Sequence, residues 1–285
     1  MNTVAVAFQC ELKKIFWRPK YIVILIIYAL IGLGTGMFAT TGDSLGTASG
    51  IFFSLSGPNA LYSALSTYRM FLIPLAVFML AADIFTHELE SKSVKCVLLR
   101  PVSRFDAYLA KCLAMLCYIA IALGAGFVVL AARQVISAAI AGTTANPYGL
   151  PAALRAAPGA AAGAASQGLT ALSVLSMLGE ALASYLLTLA PMAAYIAFAS
   201  FVAVLIRSPA LVMFLCIVSY LVFAFFGTFN SSVGAALFTT YTGWYRMWLG
   251  HRLPWQSLLT TAGLLLSTSV VFFGFGYFLF DKKDI

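Results

Sequence analysis

The chain has 285 residues, of which 62% are hydrophobic and 9% charged, with a mean hydropathy of +0.97 and a formal net charge of +8. Soluble domains run roughly 45 to 50% apolar and about 25% charged, so the charges here are too few to cover a water-facing surface, and a soluble enzyme is excluded. Disorder is excluded too, because 14% of the residues are aromatic and the aliphatic runs are long.

In chain order, segment 1–19 comes first. Val4, Phe8, Leu12 and Ile15 recur at helical spacing, while Glu11, Lys14 and Arg18 are read as another face. With Pro19 ending it, this predicts an amphipathic elbow helix lying in the inner membrane interface. A helix crossing a hydrocarbon core of about 30 Å at a 1.5 Å rise needs about 20 apolar residues. Six runs of about that length follow, at 21–39, 70–85, 108–132, 181–206, 210–229 and 257–280. They predict an all-α, polytopic membrane protein with six transmembrane helices forming a single transmembrane domain. The alternating segments of about 10 residues that build a membrane β-barrel do not occur. The first run exceeds the roughly 7 to 15 residues of a cleavable signal, so it is read as an uncleaved span.

Between the spans, segment 135–179 is rich in Ala and Gly and carries Pro147, Pro151 and Pro158, the composition of an extracytoplasmic linker. The apolar stretch 169–206 is too long for one crossing, so its first ten or so residues are expected on the surface. Trp244, Tyr245, Trp248 and Trp255 form an aromatic cluster suited to a headgroup boundary, with a ligand cage as the alternative. Pro74 and Pro191 are expected to kink spans two and four, and Gly32 and Gly36 permit close packing of span one.

Basic residues orient the bundle, because short cytoplasmic loops retain Lys and Arg. Lys13, Lys14, Arg18, Lys20, Lys92, Lys95, Arg100, Arg104, Lys111, Arg207, Lys282 and Lys283 fall on one side, leaving five arginines for the other. Both termini are therefore expected in the cytoplasm, in a cell (inner or plasma) membrane. The net positive charge then reads as topology and contact with anionic membrane lipid, not nucleic-acid binding. Cys10 and Cys96 fall on the cytoplasmic side and Cys112, Cys117 and Cys216 within spans, so no disulfide is expected.

Catalytic chemistry finds little material. His87 and His251 fall on opposite sides and cannot share a metal. No Lys follows a Gly, so a phosphate-cradling loop is missing and the chain is expected to be neither an ATPase nor any other enzyme. Asp83, at the inner end of span two, and Glu180, at the mouth of span four, are candidate intramembrane polar sites. Each is expected to be wetted at an interface, and neither has a partner acid for a proton relay.

The most charged stretch, 87–104, joins spans two and three. Val94, Val97 and Leu98 give a short helix an apolar stripe beside Glu90, Lys92 and Lys95, and Pro101 stops it. Ser103 is placed to cap the next helix, with Asp106 in its first turn. Here the chain resembles the type-2 ATP-binding-cassette permeases. The likeness rests on Glu88 and Glu90, Ser91 and Ser93, then Pro101, Ser103, Arg104 and Lys111, and on the ending from Phe280 to Ile285. The chain has Lys92-Ser93 where that family often has Gly-Thr.

The resemblance implies that 87–104 is a cytoplasmic coupling loop inserting into a separate ATPase subunit, through Glu88, Glu90, Lys92, Val94, Lys95, Val97, Leu98, Pro101, Ser103 and Arg104. It further implies a second permease copy, ATP and Mg held by the partner subunit rather than this chain, and export of a hydrophobic or amphipathic cargo. The alternative within the same architecture is a mechanical or signalling subunit acting on an extracytoplasmic partner without moving a solute. An ion-coupled secondary transporter would need intramembrane charge pairs and internal repeats, which the spans do not display.

Overall fold

The computed structural model describes residues 3–38, 64–65, 67–86, 103–141, 179, 181–206, 208–229, 234, 237–244 and 255–282. Among them every regular element is helical and no strand occurs. The helices are α1 Thr3–Trp17, α2 Pro19–Phe38, α3 Tyr68–Thr86, α4 Arg104–Ala141, α5 Ala181–Leu205, α6 Pro209–Phe229 and α7 Trp255–Lys282, with a 3-10 helix at Phe238–Gly243. Five of them, α3 to α7, are long and apolar enough to cross a membrane.

The chain turns once between α1 and α2, at Arg18. Pro19 opens α2, where its missing N–H belongs to a group that would have no helical partner anyway. The helices then run up and down between two ends of the bundle, and named contacts establish the order. At one end Tyr21 on α2 meets Asp83 on α3, and Tyr108 on α4 meets Ser200 on α5 and Phe280 on α7. At the other, Tyr68 on α3 stacks on Tyr28 of α2 and lies beneath Gly126 of α4, while Phe127 of α4 meets Tyr185 of α5. The first end collects Lys13, Lys14, Arg18, Lys20, Arg104, Lys111 and Lys282, and is called the basic end below.

Helix α5 is the centre, packing on α7, α3, α4 and α6. Its Ala194, Ala199 and Ala203 are buried, as small residues must be where helices approach closely in lipid. Its Tyr195 and Phe198 pack among Phe78, Tyr220, Phe238 and Phe272. By contrast α6 and α7 expose Phe214, Leu221, Phe225, Leu259, Leu266 and Phe275, as faces in contact with hydrocarbon or another apolar surface would.

Pro74 cannot donate to the carbonyl of Met70 four residues before it. That carbonyl instead accepts the Tyr220 hydroxyl of α6 at 2.7 Å, and the adjoining turn Tyr68–Leu72 widens to π geometry. The kink device foreseen at Pro74 is therefore a widened turn sealed by a neighbouring helix.

Three sequence expectations change. Helix α4 begins at Arg104 rather than 108 and runs to Ala141, 38 residues and about 57 Å, so the first seven residues of the supposed 135–179 linker are helical. Hydropathy marks where hydrocarbon lies, not where a helix stops. The apolar stripe of α1 faces protein: Ile15 is buried, and Phe8 and Phe16 pack on the core. Glu11, assigned above to a polar face, is buried as well. The rest of 135–179 apart from Gly179, like Tyr245 and Trp248 of the aromatic cluster, lies outside the described residues.

Candidate functional site

Two groups of ionic contacts at the basic end bind α1, α2 and the turn between them to the helices on either side of the 87–104 loop. On the α3 side, the Asp83 carboxylate accepts the Tyr21 hydroxyl at 2.5 Å, pairs with Lys20, and lies 3.9 Å from Arg18. On the α4 side, Glu11 of α1 sits 3.0 Å from Lys14 and 3.4 Å from Lys111. The Lys111 and Glu11 side chains are only 5% and 10% exposed, and each charge offsets the other where little water reaches. Lys111 also lies over the Phe85 ring, and the Tyr118 hydroxyl of α4 donates to the Tyr21 carbonyl at 2.8 Å. The α1–α2 turn thus holds α3 three residues before Thr86 and α4 seven residues after Arg104.

Asp83 was expected to be wetted and without an acidic partner. No second acid joins it among the described residues, but three cationic or hydroxyl groups do, so its charge is satisfied by the fold and it makes a poor ion relay. The sequence reading overlooked Lys20, Arg18 and Tyr21 as its partners. It also overlooked Glu11, although 4, 8, 11 and 15 is itself a helical stripe, which places that acid among apolar neighbours.

The loop itself is only partly described. Glu88, Glu90, Lys92, Val94, Lys95, Val97, Leu98 and Pro101 lie outside the described residues, as does Glu180. Ser103 and Arg104 are described. The Ser103 hydroxyl oxygen accepts the Asp106 N–H at 3.0 Å, forming the N-terminal cap of α4. Arg104 donates to the Asp281 carbonyl oxygen, joining the start of α4 to the end of α7. The helix that follows the loop is thus capped at its start and fastened to α1 and α7.

Two apolar cavities open alongside. One, of about 340 Å³, lies between α4, α5 and α7 and is lined by Leu109, Leu113, Ile196, Val270 and Phe273 among others. The second, of about 470 Å³, separates α1 from α4, with Val4, Phe8, Leu116 and Cys117 on its walls. Their walls are almost wholly apolar and could accommodate hydrocarbon.

A different polar group lies at the opposite end, around the 3-10 helix. Arg69 of α3 donates to the Thr242 hydroxyl at 3.1 Å, and that hydroxyl donates to the Thr239 carbonyl at 3.1 Å. The side-chain polar atoms of Tyr195, Thr239 and Trp244 are buried with no hydrogen-bond partner among the described residues. Each such atom costs about 1–3 kcal/mol unless something satisfies it.

Comparison with curated proteins finds no significant match. A family model described as ABC-2 family transporter protein matches residues 7–155, a little over half of the chain. The matched region contains most of α1, all of α2 to α4, the Glu11–Lys111 and Asp83 contacts and the whole 87–104 loop. An all-helical bundle of membrane-length helices with that match is a multi-pass membrane permease, and the chain belongs to the ABC-2 family of transporter proteins.

Proposed function

We propose that the chain is the permease subunit of an ATP-binding-cassette exporter, moving a hydrophobic or amphipathic substrate with ATP hydrolysed by a separate subunit. In this reading α2, 20 residues and about 30 Å long, is the sixth crossing, and the basic end is cytoplasmic with both termini. Helix α1 is the elbow at the inner surface. The 87–104 loop docks on the ATPase through the charged and apolar residues named above, and ATP and Mg reside in that partner. A second copy of the permease completes the transport path, and surrounding lipid meets the exposed faces of α6 and α7.

One observation carries this reading. The two helices that flank the 87–104 loop are both held by the same α1–α2 unit, through Asp83 on one side and Lys111 on the other. A force applied to the loop is thereby passed to three helices instead of being absorbed by a slack connection. The burial of α5, which packs against both α3 and α4, extends that path to the centre of the bundle.

Purification in mild detergent followed by identification of bound proteins tests the assignment: a subunit bearing a phosphate-binding loop is expected. Reconstitution of that complex in liposomes separates export from mechanical work. Movement of a labelled amphipathic cargo that requires ATP supports export. ATP turnover that responds to an extracytoplasmic partner, with no cargo moved, supports the mechanical alternative.

A further inference from the structure

Aromatic rings join α4 to α7 at the basic end. Phe105 and Tyr108 of α4 meet Phe273 of α7 edge to face, and Phe105 meets Tyr277 in the same way. Directly beyond this junction lies the cavity of about 340 Å³, walled by Leu109, Leu113 and Leu116 of α4 and by Val270 and Phe273 of α7. Ala193 and Ala197 of α5 form its floor, with side chains too small to fill the space. Leu113 and Val270 are exposed, so the mouth opens sideways onto the apolar exterior of two membrane-length helices, while Cys112 and Ile196 are buried within. The hydroxyls nearby are bonded inside the protein: Tyr108 to Ser200 at 2.8 Å, and Ser269 to the Leu265 carbonyl at 2.6 Å. Water entering the cavity would find few partners, and apolar cavities of this kind stay dry and take up apolar ligands.

We propose that this cavity binds one acyl chain of a phospholipid from the surrounding bilayer, which enters sideways between α4 and α7. The mouth is continuous with the lipid-facing surface of α7, so hydrocarbon is the medium presented to it. Left empty, the walls would forgo their dispersion contacts on one side, and a flexible chain restores them. The volume falls within the range of about 300–1,000 Å³ typical of ligand sites. Depth agrees as well. Arg104 and Asp106 open α4 while Asp281 and Lys282 end α7, and Leu109 at the near edge of the cavity is about 8 Å along the helix from Arg104. A headgroup resting among those charges brings its chain to the level of the mouth. The charges are two of each sign, so the site reads the chain and not the headgroup. Nothing in it uses the 87–104 loop, and the proposal stands apart from the exporter reading.

The test places the full chain, without any ATPase, in nanodiscs of phosphatidylcholine that carries a photoactivatable diazirine midway along one acyl chain. After irradiation, adducts are mapped by peptide mass spectrometry. Cys112 and Cys216 are both buried thiols within spans, but Cys112 lines the cavity and Cys216 does not. Cys112 is expected to carry severalfold more adduct than Cys216, with further adducts on Ile196, while Phe214 and Leu221 on the exposed face of α6 report ordinary contact with lipid. This comparison needs no variant. Ala193→Leu and, more completely, Ala197→Phe fill the floor and should lower the Cys112 and Ile196 adducts severalfold, with those on Phe214 and Leu221 unchanged in a protein that remains folded and inserted. Equal labelling of Cys112 and Cys216 overturns the proposal, as do Cys112 and Ile196 adducts undiminished in both filled variants. Labelling of α6 with none on Cys112 or Ile196 overturns it too, since another part of the chain or a second copy would then occupy the space.

Discussion

Lys111 on α4 places its ammonium 3.4 Å from the carboxylate of Glu11 on α1, a pairing across 100 residues with both side chains almost wholly buried. Removing one partner strands a buried charge, so Glu11→Gln should destabilise the protein by about 3–5 kcal/mol, and Lys111→Met by less because Glu11 keeps Lys14. Replacing both, Glu11→Leu with Lys111→Met, should recover most of the loss because two apolar side chains fill the same space. Unfolding of the purified protein measured for the four variants of this cycle, wild type included, checks the ordering.

Asp83 lends itself to a ranking of its three contacts. Lys20 and Arg18 are about a third exposed, where ion pairs contribute about 0–1 kcal/mol. The Tyr21 hydroxyl is buried, and orphaning it costs about 1–3 kcal/mol. Lys20→Gln should therefore be mild and Asp83→Ala clearly worse, with Tyr21→Phe in an Asp83→Ala background restoring part of the stability. Equal effects of Lys20→Gln and Asp83→Ala would contradict this division.

The Tyr220 hydroxyl stands in for the N–H that Pro74 lacks. Tyr220→Phe leaves the Met70 carbonyl unsatisfied in an apolar setting and should cost about 1–3 kcal/mol. With Pro74→Ala the residue-74 N–H becomes available to that carbonyl, so the penalty of Tyr220→Phe should shrink in the double variant. Additive losses in the cycle would mean that the two groups do not serve the same acceptor.

Glycines of α7 separate by what a methyl group would meet. At Gly276 a Cβ would run into the Tyr108 hydroxyl and lie 3.4 Å from the Phe201 Cα, threatening the 2.8 Å bond between Tyr108 and Ser200. Gly276→Ala should lower stability by about 1–3 kcal/mol. Gly274 has nothing within 4 Å, so Gly274→Ala should be neutral or gain up to about 1 kcal/mol from helix propensity. Thermal unfolding of the two variants distinguishes them.

Local periodicity and bilayer thickness made the helices legible. Residues 181–206 and 210–229 anticipate α5 and α6 within a residue or two, because Ser208 and Pro209 mark the turn between them. The Ser103 cap was legible for the same reason, since its partner is three residues away. What escaped was long-range. Glu11 looked like a surface acid because Lys111, the residue that makes its burial tolerable, is remote in sequence. Asp83 looked isolated because Lys20 and Tyr21 reach it only after α2 and α3 pack. The end of α4 escaped because the apolar run stops at Arg133 and Gln134 while the helix continues to Ala141.

The most direct test of the account replaces Glu90→Arg, and separately Val94→Pro, within the 87–104 loop, and asks how much ATPase subunit co-purifies from membranes with the tagged permease. The account predicts loss of the ATPase in both variants, with membrane insertion and yield unchanged. Undiminished co-purification in both, or full activity of the permease with no ATPase bound, would contradict it.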